Sequence, residues 1–189
     1  MTDKYETTQS RTRRNFVLQR MTAEFMLKKA KEQEFGQEFF IRAGLIFCSF
    51  CIESYCNHLL QEEFNILDET ERLGTKEKIL LLIKMMKVDI KKSETPLQTI
   101  LQNLKIRNML VHTETKTIKD TKKMSHRKEP TENIVLFKEE EFLTINFLET
   151  SLESTKNIMT SMHNKLGRDS SELRSYENMW SVQRPGSLD

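Results

Sequence analysis

The chain has 189 residues, 37% of them apolar and 31% charged, with only five Gly and three Pro. This length and composition predict one domain with its own hydrophobic core, and they favour helices over a turn-rich β architecture. The formal net charge of +2 excludes a strongly basic surface overall, so any contact with nucleic acid must come from local clusters of cations.

Residues 1–13 are polar throughout and are predicted to form a flexible arm before a helical bundle domain at 14–167. The arm lacks the apolar segment of a secretory signal peptide. The most apolar run, 43–52, is about ten residues long and is too short to cross a membrane. We therefore expect a cytoplasmic protein that makes no membrane contact.

Apolar residues at helical spacing predict a first helix at 15–35 and a longer helix at 37–64. The apolar side of the first helix is predicted to hold Phe16, Val17, Met21 and Phe25. The second helix is the most apolar element, so we expect it to be central to the bundle. It also holds three cysteines whose spacing matches no common zinc site, and we interpret them as small core side chains: Cys48, Cys51 and Cys56.

Two polar residues, Glu53 and Asn57, lie one turn apart on an apolar side of the second helix. A carboxylate on such a surface needs a cation, and Arg107 is the candidate. The alternative is that Glu53 lies at the margin of the helix and reaches water.

A third helix is predicted at 75–86, with Thr75 as its N-cap, and a fourth at 95–112. Thr95 is a good N-cap for the fourth helix, and Pro96 suits its first position because the missing N–H would be unpaired there anyway. One stripe of the fourth helix is predicted to face the core: Leu97, Ile100, Leu101, Leu104 and Val111.

The last turns of the helix at 95–112 are apolar on nearly all sides. Ile106, Met109 and Leu110 point away from the core stripe and need a second surface to cover them, which could be a partner chain. Arg107 stands on the shoulder of the stripe. Its guanidinium either reaches solvent on its long stem or is held by another side chain.

Residues 113–132 contain almost no apolar side chain and are predicted to form a long basic loop. The loop directly follows the fourth helix and could bring positive charge to an RNA backbone, which would make binding sensitive to salt. A mobile, solvated loop is the open alternative. The candidate RNA-binding side chains are Lys116, Lys119, Lys122, Lys123, Arg127 and Lys128.

A final helix is predicted where apolar residues alternate at spacings of three and four between Ile145 and Leu166, with Gly167 as its stop. Residues 168–189 are predicted to form a polar C-terminal tail. Its aromatic residues, Tyr176 and Trp180, could dock on the bundle or on a partner.

The segment from Arg107 to His112 resembles the Arg-x4-His motif of the HEPN superfamily, in which a polar residue often follows the arginine, as Asn108 does here. The resemblance implies an all-α, up-and-down bundle of about five helices. It also implies a homodimeric, metal-independent endoribonuclease without a cofactor, of the kind found in toxin–antitoxin and antiviral defence systems. An antitoxin or a larger defence-system partner is then possible.

By matching position, the resemblance makes His112 the general acid and base, lets Arg107 stabilise phosphate charge, and lets Asn108 orient the pair or the RNA. Glu53 corresponds to an acidic or polar residue that several HEPN families carry on the preceding long helix. The chemistry fits these residue types, because imidazole titrates close to neutral pH and a planar guanidinium can bind phosphate oxygens in a bidentate way.

Two alternatives remain open. The same bundle could be a non-catalytic module that binds RNA or protein, in which case Arg107 and His112 would lie apart or away from any cleft. The chain could also be partnered with a nucleotidyltransferase, but HEPN proteins of that subgroup commonly carry a tyrosine two residues after the histidine, and this chain has Glu114 there.

Overall fold

The computed structural model describes residues 14–91, 93–111 and 140–174. Within these ranges the chain is an all-α bundle of five helices without strands, which confirms the predicted fold class. The helices are α1 (Asn15–Glu32), α2 (Gln37–Glu62), α3 (Thr75–Met85), α4 (Thr95–Val111) and α5 (Ile145–Lys165). The predicted arm, the predicted basic loop, His112 and residues 175–189 lie outside the described residues.

Helix α2 is central, as its sequence predicts, and it contacts each of the other four helices. Tyr55 illustrates how it is fixed, because its ring is fully buried and its hydroxyl donates to the carbonyl of Met159 in α5 at 3.0 Å. Within the described residues α2 is also the one helix long and apolar enough to span a membrane, and half of its most apolar window is buried in the bundle. A core helix has the same pattern.

The apolar core consists of two clusters, one towards each end of α2. The first cluster joins the C-terminal half of α2 to the start of α1, to α3 and α4, and to the end of α5, and it includes Leu59, Ile79 and Leu97. The second cluster joins the N-terminal half of α2 to α1, α4 and the start of α5, and it includes Leu45 and Leu148.

The second cluster corrects the prediction for the end of α4. Ile106 is fully buried there against residues of α2 and α5, so its cover comes from the same chain rather than from a partner. Val111, which was predicted to face the core, is 49% exposed. Hydrophobic periodicity alone could not tell which of these two positions is buried, because both sides of the last turns of α4 are apolar.

The side predicted for α1 packs inwards only at the start of the helix, where Phe16 and Val17 are buried. Its buried side includes Ala23 and Ala30, seven residues apart, while Met21 and Phe25 are 50% and 52% exposed. Two small residues on one face let neighbouring helices approach closely, which explains why this side, and not the side with the larger apolar residues, packs inwards.

The helix ends were predicted in part. Gly167 has a φ of +66° and follows the end of α5, as expected of a C-terminal glycine. At its start, Thr144 caps α5 by accepting a hydrogen bond from the backbone N–H of Phe147 at 3.1 Å. Thr95, however, is the first helical residue of α4, because the first helical hydrogen bond is accepted by the carbonyl of Glu94.

The segment after α5 packs on the bundle as far as Leu173, so the bundle extends beyond its predicted end at residue 167. Leu173 joins the core, and its carbonyl accepts a hydrogen bond from Arg20 of α1 at 3.2 Å. Arg168 forms an ion pair with Glu63 at the end of α2. The polar sequence after residue 167 predicted a C-terminal tail, whereas these long-range contacts hold the first part of that segment against the bundle.

The close approach of α2 and α5 generates a testable prediction at Gly44. A Cβ atom at this position would lie 2.7 Å from Cδ2 of Leu148, whose side chain is fully buried, so the leucine or one of the two helices must shift. Overpacking costs about 1–3 kcal/mol. The better helix propensity of alanine offsets about 1 kcal/mol of this cost. We expect Gly44→Ala to lower the free energy of unfolding by about 1 kcal/mol, measured by urea denaturation.

The matched control is the double variant Gly44→Ala/Leu148→Ala. Removing the leucine methyl groups frees the space, so the two changes should cost less together than the sum of the single changes. Additive costs would show that the contact does not limit the approach of the two helices.

Candidate active site

A groove with a volume of about 600 Å³ opens between α2, α3 and α4. The loop before α3 forms one wall, the first turn of α3 and the exposed side of α4 form the others, and Glu53 lies on the α2 side. The lining residues are Glu53, Glu71, Leu73, Gly74, Thr75, Lys76, Glu77, Lys78, Gln98, Leu101, Gln102, Leu104, Lys105, Arg107 and Asn108.

The ion pair expected between Glu53 and Arg107 is present. Nη2 of Arg107 donates to Oε2 of Glu53 at 3.0 Å, and the guanidinium carbon lies 5.8 Å from the centre of the Phe50 ring. The arginine side chain is 18% exposed, so it does not extend freely into water. Its Nε is buried and has no hydrogen-bond partner within the described residues. The sequence prediction of a held guanidinium is therefore confirmed.

The structure brings three of the predicted site residues together. Arg107, Asn108 and Glu53 all line the groove, and Asn108 is exposed to solvent. The fourth, His112, follows directly after Val111, the last residue of α4, and lies outside the described residues, as do the basic side chains predicted to bind RNA.

Sequence reasoning missed Lys78 of α3. Its side chain is 7% exposed, and its Nζ donates to Oδ1 of Asn57 at 2.8 Å. Asn57 lies one turn after Glu53, so two polar groups on one side of α2 each bind a cation from a different helix. The signal was available in Asn57, since an amide on an apolar side of a helix needs a partner where that side is covered. The partner itself could not be read from spacing, because a lysine in a helix usually faces water.

Cations and anions in the groove are nearly balanced. Four cations line it, namely Lys76, Lys78, Lys105 and Arg107, and so do three carboxylates, namely Glu53, Glu71 and Glu77. The carboxylate of Glu77 folds back towards Gly74, the N-cap residue just before α3. The positive end of the α3 macrodipole therefore already has an anion beside it.

The cysteines do not contribute reactive groups to the groove. All three are fully buried, and the loss of hydration raises the pKa of Cys51 to about 12 and the pKa of Cys48 and Cys56 further. Among the described side chains, no three His, Cys, Asp or Glu residues are grouped as ligands of a metal ion would be. The groups that line the groove can bind and orient an anion through hydrogen bonds and charge.

Comparison with known proteins adds no relative: no family model, curated protein or solved structure matches the chain. The resemblance to HEPN proteins therefore rests on the segment from Arg107 to His112 and on its place at the end of a helix. The functional argument has to be made from the groove and from this segment.

The two polar contacts of α2 generate a testable prediction about stability. Asn57→Leu removes the acceptor of a buried ammonium, and an unsatisfied buried donor costs about 1–3 kcal/mol or more when it is charged. Glu53→Gln removes a charge from a pair that is partly exposed to solvent, and such pairs contribute about 0–1 kcal/mol. We therefore expect Asn57→Leu to lower the free energy of unfolding more than Glu53→Gln, measured by urea denaturation.

Asn57→Asp is the matched control. It keeps an acceptor for Lys78, so its loss of stability should be smaller than that of Asn57→Leu. If Asn57→Leu were as stable as the unmodified protein, Lys78 would find another partner or reach water, and the contact would not stabilise the fold.

Proposed function

We propose that the protein is a metal-independent endoribonuclease of HEPN type, which acts in the cytoplasm as a homodimer and serves as a toxin or an antiviral effector. The observation that carries this proposal is the position of Arg107. Its guanidinium lies in an open groove at the end of α4, is held by Glu53, and stands five residues before His112 in the chain. Asn108, beside it, is exposed to the same groove.

The proposed reaction uses the 2′-hydroxyl of the RNA as the nucleophile. His112 takes the proton of this hydroxyl, whose oxygen attacks the adjacent phosphorus, and the 5′-oxygen of the next nucleotide leaves with a proton returned by an imidazole. The products are a 2′,3′-cyclic phosphate and a free 5′-hydroxyl. Arg107 stabilises the charge that develops on the phosphate oxygens, because only its Nη2 is bound among the described residues and the other amino group remains available.

The homodimer belongs to the proposal for a geometric reason. Positions five apart on a helix differ by about 140° in direction, so one helix cannot easily present both Arg107 and His112 to one phosphate. Two copies of α4 around a two-fold axis would let the arginine of one protomer act beside the histidine of its partner. The cations of the predicted loop would then hold the RNA backbone through charge, namely Lys116, Lys119, Lys122, Lys123, Arg127 and Lys128.

A non-catalytic module that binds RNA or protein is the second candidate, and the Glu53–Arg107 pair favours it. The carboxylate neutralises the arginine at 3.0 Å and occupies one of its two amino groups. A phosphate must compete with Glu53 or accept only the remaining donors, which suits weak binding better than strong stabilisation of a transition state. The two candidate functions differ in whether His112 acts as a general acid and base.

The test is cleavage of total cellular RNA in the presence of EDTA, by the unmodified protein, by His112→Ala and by His126→Ala. We expect the first to cleave and His112→Ala to lose roughly 100-fold or more of the rate, the usual share of general acid–base catalysis. His126, in the predicted loop, has no proposed role, so His126→Ala is the matched control and should cleave normally. An oligonucleotide with a 2′-deoxy sugar at the cleavage site should resist the enzyme.

Cleavage by His112→Ala at the normal rate would end the catalytic proposal. If no form cleaves RNA but the protein binds it, and Arg107→Ala weakens this binding, the second candidate is favoured instead. Arg107→Lys adds a finer distinction, because lysine keeps the charge and loses the bidentate geometry. If Arg107 is catalytic, Arg107→Lys should lower the rate of RNA cleavage more than it lowers the affinity for RNA.

A further inference from the structure

A second groove runs between α1 and α5, on a different pair of helices from the candidate site. It consists of two adjoining parts of about 510 Å³ and 450 Å³, which share Lys156. The near part is lined by Arg20, Lys156, Met159, Thr160, Asn164, Leu173 and Arg174. The far part is lined by Glu24, Leu27, Lys28, Lys31, Glu32, Leu152 and Lys156.

The chain leaves the described bundle at the near end of this groove. Arg174 is the last described residue and lines the groove itself. Its position is fixed by the residue before it, because Leu173 is buried in the core and its carbonyl binds Arg20 at 3.2 Å. Glu172 is held in turn by Arg168 at 3.3 Å. Residues 175–189 therefore start beside the groove.

The composition of residues 175–189 suits the groove. Tyr176, Met179 and Trp180 fall at helical spacing, so they would form one apolar side if this segment were helical. Leu27 in the far part of the groove lies seven positions, or about 10 Å, along α1 from Arg20. Trp180 is six residues beyond Arg174, which spans about 9 Å in a helix and about 20 Å in an extended chain. Either conformation is long enough for the indole to reach Leu27.

The charges around the groove and the exposed apolar side chains beside it also fit residues 175–189 as its occupant. The near part of the groove is lined by the cations Arg20, Lys156 and Arg174. Glu24 in the far part pairs with Arg20 at 3.0 Å and with Lys156 at 2.9 Å, so Arg174 is the cation of the near part that has no carboxylate partner among the described residues. The first charged residue after Arg174 is Glu177, and no further cation follows before position 184. On the adjacent ridge of α1, two large apolar side chains, Met21 and Phe25, are about half exposed, which a covering segment would reduce.

We propose that residues 175–189 pack back into the groove between α1 and α5 of their own chain, with Trp180 seated in the far part against Leu27 and Leu152. The segment ties the end of the chain to α1, the helix that otherwise has one side open to solvent. The occupant is a segment of this chain rather than a separate partner, because the segment follows Arg174, which lines the groove, and is long enough to fill both parts.

Trp180 is the one tryptophan of the chain, so its fluorescence reports directly on this contact. In the full-length protein we expect its emission to lie to the blue of the urea-unfolded protein and its quenching by acrylamide to be severalfold weaker. Leu27→Glu should shift the emission to the red and restore quenching. Because Leu27 is partly buried and this variant could lose stability, Thr160→Arg, at an exposed position of the near part, is the second groove variant and should have the same effect.

Phe39→Glu is the matched control, since Phe39 is 76% exposed on α2 and does not line the groove. It should leave the emission and the quenching unchanged. The proposal is overturned if Trp180 in the folded protein is quenched as in the unfolded chain, or if it is protected but insensitive to both groove variants. Protection that disappears on dilution would also overturn it, since the groove would then be filled by the tail of a second copy.

Discussion

The bundle depends on the need to cover α2, which carries apolar residues around almost its whole circumference. Each of the other four helices buries part of this surface, and the two apolar clusters lie at its two ends. Burial of apolar area is the dominant favourable term in folding, so the positions of the other helices follow from how well each one fits against α2. Gly44 shows how tight this fit is, because α5 approaches α2 with no space for a Cβ atom.

The candidate site arises where this apolar surface is interrupted. Glu53 and Asn57 are the polar residues on one side of α2, and each binds a cation, Arg107 from α4 and Lys78 from α3. The two helices that cover this side of α2, namely α3 and α4, therefore each place a positive charge in the same region. The groove opens between these two helices. Such contacts add little to stability when exposed, but they fix the orientation of the side chains that line the groove.

Periodicity and chemical type predicted the parts of this structure that depend on one element at a time. The five helices, the central position of α2 and the pairing of Glu53 with Arg107 could all be inferred, because a carboxylate on an apolar surface restricts its partners. The partner of Asn57 and the cover of Ile106 could not, since both depend on which helices meet in space. In α1 the prediction holds for Phe16 and Val17, which are buried, and fails for Met21 and Phe25. Large side chains suggest a core side, whereas the small residues Ala23 and Ala30 allow the closer approach.

The three cysteines of α2 have a practical consequence. All are fully buried, and the loss of hydration raises the pKa of each thiol well above its ordinary value. An alkylating reagent reacts with the thiolate, so each cysteine becomes modified only when the surrounding helices separate. The rate of alkylation at neutral pH therefore measures how often the centre of the bundle opens, without any introduced label.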